Sequence, residues 1–401
     1  MRRLFGVLTL FLISFSFFHT VSAQEYTPGS SYLDSNAYVE YIAGNLPIIL
    51  SAPHGGSLQP SSIPDRDCEG CVTINDAYTK LITEGIAEKI HAITACYPHV
   101  VINLLHRKKF DANRDIEDAA DGNVSVEQSW YAYHDFIELA GSQIADHYDR
   151  GLFIDMHGHA HTIQRIELGY LMSREDLQES DEVLNSNPYT EESSIRTLVE
   201  DNWQALSHAE LLRGAESLGT ILDEKGFPAV PSFADPYPQG NEPFFQGGYN
   251  TRRHGSVDDL GHIDAIQIEM NQDIRFDEAA RAVLIDSMAQ AILEYYAFHY
   301  DEDFLNTFCS EISNVDKTET ESVEYTLSPN PAEGYFIING GEYKSLDIEL
   351  YNQLGQKLHF KRVVVGEQID VSDLPAGYYI LKLWSGKDLE GVQELVLCKL
   401  H

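Results

Sequence analysis

Positive charge is scarce in this chain. Its 401 residues carry 27 Lys and Arg against 63 Asp and Glu, a formal charge of -36. Phosphate backbones and anionic lipid are repelled by such a protein at ordinary salt, which excludes nucleic acid as a partner. Cysteine is also sparse: Cys68, Cys71, Cys96, Cys309 and Cys398 are an odd number, so at least one is left unpaired. Cys68 and Cys71 have the spacing of half a zinc ribbon, but no second such pair completes four ligands. A short-loop disulfide is the expectation there, with free thiols as the alternative. Past Phe18 no apolar stretch reaches the roughly 20 residues needed to cross a bilayer, so the mature chain is expected to be soluble with no membrane span. Gly-x-Ser-x-Gly is missing near the candidate catalytic residues, and a serine nucleophile is not required. Core-forming residues are not lacking. With 43% hydrophobic and 11% aromatic residues, the chain is not disordered throughout and is long enough for more than one domain.

The beginning reads Met1-Arg2-Arg3, an apolar run from Leu4 to Phe18, then Val21-Ser22-Ala23 before Gln24. A basic start, a short apolar middle and small residues at the cut predict a secretory signal peptide over 1–23. From 24 to 310 short apolar runs alternate with amphipathic stretches, which predicts an α/β domain. Strands are expected at Pro47 to Ser51, His99 to Leu105, Leu152 to Ile154 and Ala265 to Ile268, with helices at Asp76 to Ala95, Val126 to His147, Leu206 to Leu222 and Asp277 to Phe298. Three polar signatures, at His54, at His157 and at Glu269, then fall just past the ends of apolar strands, where sites in open α/β sheets form. Residues 311–324 are polar and read as a linker. Over 325–401 only short strands and turns follow, among them Phe336 to Ile338, Leu346 to Tyr351 and Tyr378 to Leu383, which predicts a small β-sandwich. It carries no cluster of His, Cys and carboxylates, so no chemistry is expected there.

His54 and His157 stand in matching contexts, each after an apolar strand and each beside glycine: His54-Gly55-Gly56 and His157-Gly158-His159. A lone histidine in such a place is usually structural. Two of them point to a metal site, and imidazole nitrogen suits zinc, which in catalytic sites takes three protein ligands and an open position for water. The run from His106 to Asp115 gathers cations in a chain that has few, and Asn113 with Arg114 offers donors fitted to a substrate carboxylate; as plain structure it is a solvated loop. Glu269 is a carboxylate after buried apolar residues, suited to act as general base or else ion-paired with Arg114 or Arg275. The loop Gly247-Gly248-Tyr249 is either a turn or a substrate contact through Tyr249.

Taken in order, Ser51-Ala52-Pro53-His54-Gly55-Gly56, Pro64-Asp65-Arg66, Asp76, Arg107 through Arg114, Tyr133-His134, Asp155-Met156-His157-Gly158-His159, Gly247-Gly248-Tyr249 and Gln267-Ile268-Glu269 resemble the N-formylglutamate amidohydrolase family. The resemblance spans nearly the whole first domain. It implies a zinc exopeptidase-like mixed β-sheet flanked by helices, with His54 and His157 as Zn2+ ligands, Asn113 and Arg114 gripping a substrate carboxylate, and Glu269 as general base. Zinc carboxypeptidases place a ligand Glu three residues after the first His, and here that position is Ser57. The third ligand must then come from elsewhere, and Asp76 is taken for it because it opens the helix after the first-His loop, with Asp155 and His159 as rivals. The tail resembles the C-terminal sorting domain of type IX secretion cargo through Ser328-Pro329-Asn330-Pro331, Ile348 through Gln356, and Ile369 through Tyr379. That implies handling by the type IX secretion machinery of a Bacteroidetes-type cell and a secreted or cell-surface location reached through the periplasm. The expected function is amide hydrolysis of N-formyl or N-acyl amino acids or a related small anionic amide. The alternatives are a secreted zinc peptidase or peptidoglycan amidase, and a non-catalytic secreted binding protein.

Overall fold

The computed structural model describes residues 26–68, 70–257, 261–302 and 304, and in the C-terminal part 325–329, 332, 334–340, 345–351, 357–375, 377–384 and 393–399. The expected signal peptide over 1–23 and linker over 311–324 lie outside the described residues. Two compact units divide between Asn314 and Val315.

The first unit contains strands β1 (Ser31–Leu33), β2 (Val39–Ile42), β3 (Ile48–Ala52), β4 (His99–Asn103), β5 (Gly151–Gly158), β6 (Ile166–Gly169), β7 (Ala229–Val230) and β8 (Ile263–Met270). They form one mixed sheet in the order β1-β2-β4-β3-β5-β8-β6-β7. β3, β4, β5 and β8 are mutually parallel at its centre and buried along nearly their whole length. That explains why they read as continuous apolar runs and not as alternations. Its long helices are α1 (Thr79–Thr94), α2 (Val124–His147) and α3 (Glu278–His299). Each is set by simple means: α1 buries Ile82, Ile86 and Ile90 four residues apart, Asn123 accepts from the Ser125 and Val126 N–H groups to cap α2, and Asp277 accepts from the Ala280 N–H to cap α3. The crossover β3-α1-β4 steps one way along the sheet and β4-α2-β5 steps back past β3, so right-handed connections lay α1 and α2 on opposite faces.

Because β3, β5 and β8 are parallel neighbours, their carboxyl ends share one edge of the sheet. Here the structure differs from the sequence pattern in one respect. β5 and β8 do not stop at their polar residues but carry Asp155, His157 and Glu269 inside the ladder, where these groups find partners. A second difference is that Leu206 to Leu222 is two helices, His208–Arg213 and Leu218–Glu224: Gly214 turns extended and Ser217 restarts the helix by accepting from the Thr220 N–H.

The second unit has only strands: β9 (Tyr325–Ser328), β10 (Tyr335–Gly340), β11 (Ser345–Tyr351), β12 (Lys357–Val364), β13 (Gln368–Asp370), β14 (Gly377–Trp384) and β15 (Gln393–Lys399). They pair antiparallel in two sheets, β13-β10-β9 and β12-β11-β14-β15. Phe336 and Ile338 of one sheet and Ile348, Leu381 and Leu383 of the other belong to a single apolar cluster, as expected of a sandwich. Among the described residues no helix is long and apolar enough to cross a membrane.

Candidate metal centre

Asp155 and His157 are two apart in β5 and therefore share a face of the sheet. Register sets Gln267 and Glu269 of β8 beside them. His54 comes in just past β3, and Asp76 precedes α1 with its N–H bonded to the His54 carbonyl at 3.1 Å. Asp76 Oδ2 then lies 3.1 Å from His54 Nδ1 and 3.3 Å from His157 Nδ1. The far nitrogens are held by carboxylates: His54 Nε2 is 2.6 Å from Asp111 Oδ1, and His157 Nε2 is 2.7 Å from Asp155 Oδ2. Each imidazole thus lies between two carboxylates, which only accept; a cation taking the place of the proton at Nδ1 would leave Nε2–H to donate to Asp111 or Asp155.

Ligands about 2.0–2.1 Å from a tetrahedral divalent ion stand roughly 3.3 Å apart, close to the spacing found. His54, Asp76 and His157 are thus a buried set able to hold a metal, with two imidazoles braced as metal ligands usually are. The rival third ligands lie outside this set: Asp155 Oδ2 sits on the far side of the His157 ring, and His159 falls in a separate group with His161 and Glu167. The remaining oxygens are anchored too. Asp76 Oδ1 accepts from Arg107 Nη1 at 3.4 Å, Asp111 Oδ2 from Arg107 Nε at 2.9 Å, and Asp155 Oδ1 from the Ser51 hydroxyl.

Charge in this pocket is strongly perturbed. Burial works against ionisation of Asp76 and Asp111, but His54, together with His157 for the first and Arg107 and Arg114 for the second, outweighs it and holds both well below the usual carboxylate range. Burial likewise disfavours protonated His157, yet the charge and hydrogen bond of Asp155, with Asp76 and Glu269, keep its pKa well above normal. Glu269 goes the other way. Burial, reinforced by Asp76 and Glu167 and opposed by His157 and Arg107, pushes it up to about 8. Its Oε1 accepts from Gln267 Nε2 at 3.0 Å, and among the described residues its Oε2 is buried without a hydrogen-bond partner and neither Arg114 nor Arg275 pairs with it. Arg275 instead donates to the carbonyls of Met270, Ala77 and His159.

These groups line a cavity of about 220 Å³ whose wall includes His54, Asp76, Asn113, Arg114, His157 and Glu269. Tyr249 is not part of that wall; its hydroxyl accepts from Arg253 Nη1 at 3.2 Å and its ring meets Trp130 and His134. What its loop contributes is backbone: the Asn250 N–H donates to Asn113 Oδ1 at 2.8 Å. The glycines beside the histidines admit the protein's own chain. A Cβ on Gly56 would meet the Leu104 backbone at 2.3 Å, and one on Gly158 the Arg275 guanidinium at 2.3 Å.

Asp111 and Arg107 were hidden in a run read for its positive charge. The signal for Asp155 was its place two residues before His157. Cys68 and Cys71 are joined in a disulfide.

Among solved structures, a gene product from Agrobacterium tumefaciens is 12% identical, with a TM-score of 0.40 over 64% of this chain and 94% of that one. N-formylglutamate amidohydrolase from Ralstonia eutropha is 13% identical, with a TM-score of 0.39 over 67% and 97%. Succinylglutamate desuccinylase from Chromobacterium violaceum is 12% identical, with a TM-score of 0.31 over 76% and 86%. Likenesses this distant assign no role to any residue. No curated protein matches the chain. Residues 326–397 match the secretion system C-terminal sorting domain, and the chain carries that domain at its C-terminal end.

Proposed function

We propose that this chain is an exported zinc-dependent amidohydrolase acting on N-formyl or N-acyl amino acids or a related small carboxylate-bearing amide. In this reading 1–23 is a signal peptide, 24–310 the catalytic domain, 311–324 a linker and 325–401 the address read by the type IX secretion machinery, which delivers the protein to the cell surface or the medium. The observation that carries it is the juxtaposition of a braced His54, Asp76 and His157 set with a buried carboxyl, Glu269, that has an oxygen free.

His54, Asp76 and His157 would hold the zinc, which would supply Lewis-acid polarisation of the amide carbonyl and of the attacking water. Glu269 takes a proton from the attacking water as its oxygen bonds to the carbonyl carbon. It then delivers that proton to the leaving nitrogen as the C–N bond breaks. Its elevated pKa suits a group that must both accept and give. Arg114 in the cavity wall pairs with the substrate carboxylate, and Asn113 pins the backbone at Asn250. A small cavity favours single amino-acid derivatives over polymers.

The test is turnover of N-formyl and N-acyl amino acids, and of their carboxamides, with and without a chelator. Chelator-sensitive hydrolysis that requires the free carboxylate is expected; chelator-insensitive turnover removes zinc from the reaction. The sorting domain favours a second reading, a secreted peptidase or peptidoglycan amidase, which faster cleavage of peptides or muropeptides would establish. Zinc bound stoichiometrically with no turnover on any amide would make the chain a binding protein.

A further inference from the structure

Beyond the end of β5 lies a second group that the proposed reaction does not use. His159, His161 and Glu167 each offer a ligand atom, and these atoms lie within 4.8 Å of one another. Glu167 is fully buried in β6. Among the described residues no Arg or Lys pairs with it: Oε1 is 2.8 Å from His161 Nδ1, and Oε2 accepts the Phe245 N–H at 2.8 Å. The register sets it opposite Glu269, a second buried carboxylate. Burying a carboxylate is costly unless its charge is met, so this spot calls for positive charge.

The imidazoles are prepared to supply lone pairs. His159 Nε2 lies 2.8 Å from the Arg165 carbonyl. A carbonyl only accepts, so the ring proton is on Nε2 and Nδ1 presents a lone pair. Among the described residues that lone pair receives only the His161 N–H, at 3.1 Å. A far N–H tied to a carbonyl is how proteins orient a ligating histidine. The main chain is fixed as well, with the His159 N–H bonded to the Met270 carbonyl at 3.0 Å and the His159 carbonyl accepting from Arg275 Nη2 at 2.9 Å.

We infer that His159, His161 and Glu167 hold a second divalent transition-metal ion, of the class that takes two imidazoles and one carboxylate. Calcium and magnesium are disfavoured because they take oxygen ligands. The two sets share no ligand, and β8 with Glu269 stands between β5 and β6, so these are separate mononuclear sites. Binding draws the ligand atoms in to roughly 3.3 Å of one another and gives up the His161 N–H contact. The ion then ties down one side of the cavity: the His161 ring is stacked on Phe245 with centroids 4.7 Å apart, and Phe245 is in the cavity wall.

The test is the number of zinc ions that the full chain retains after chelator stripping, reloading with Zn2+ and dialysis, read by elemental analysis. Two per chain are expected for the wild type. His161→Ala and Glu167→Gln should each retain one, His54→Ala one, and the His54→Ala/His161→Ala double variant none. One zinc in the wild type that His54→Ala abolishes overturns the inference, as does a wild-type count of two that neither His161→Ala nor Glu167→Gln lowers. A single zinc that survives His54→Ala but not Glu167→Gln supports this site and sinks the proposed catalytic one. If His161→Ala does not fold, the wild-type count and the His54→Ala count decide.

Discussion

In the C-terminal unit Phe336, Ile338, Ile348, Leu381 and Leu397 close on one another, and the buried charged side chain among its described residues is Lys399. In the N-terminal unit the sheet edge formed by β3, β5 and β8 buries His54, Asp76, Asp111, Asp155, His157, Glu167 and Glu269, with Arg66 and Arg107 among them. Both units have apolar cores, but among the described residues the N-terminal one buries many charges where the C-terminal one buries a single lysine, and each such charge must be met by hydrogen bonds and counter-charge or else destabilise the fold. Much of that cost gathers where three parallel strands end, although Asp264 is buried at the opposite end of β8.

The contrast can be broken by changing one residue on either side. The largest effect is expected from Glu269→Gln, which should lower kcat about 10²–10⁴-fold with metal content unchanged; a rate within tenfold of wild type removes Glu269 from proton transfer. In the other unit, Leu381→Ala should destabilise the sandwich by about 2–5 kcal/mol, seen as an earlier denaturant transition, with turnover by the first unit unaltered. Asp111→Asn and Asp155→Asn, which loosen the imidazoles without touching the ion, are each expected to weaken metal affinity about 10–100-fold in a competition titration.

The smallest effect concerns pH. Burial raises Asp264, at the start of β8, from 3.8 to about 6 despite hydrogen bonds from Ser256 and Tyr300. The folded state therefore holds this proton more tightly than the unfolded chain. Its contribution to stability is present below about 3.8 and is lost as pH rises through about 6, at no more than about 1.4 kcal/mol per pH unit. Asp264→Asn should flatten that slope in denaturation of the N-terminal unit, while the C-terminal unit should lack it.

Much of this could be read in advance where local pattern and function coincide. Uninterrupted apolar runs marked β3, β5 and β8, and His54, His157 and Glu269 stood out because a polar residue after such a run has no local reason to be there. Asp76 was legible as a candidate through its place at the opening of the helix after the His54 loop. The partners of these residues were less visible. Asp111 reaches His54 from 57 positions away, a pairing that only the fold creates. The segment between Arg174 and His254 contains helices of at most seven residues, too short for a helical period to register. Tyr249 stands out in the sequence for its chemistry, and its contacts with Trp130, His134 and Arg253 come from the fold.

The central claim, that three strand ends gather two imidazoles and an aspartate round one cation beside Glu269, is tested most directly by anomalous diffraction at the zinc edge from crystals loaded with Zn2+. A peak about 2.0–2.2 Å from His54 Nδ1, Asp76 and His157 Nδ1 is expected. A fully loaded crystal with no anomalous density between those residues would contradict it.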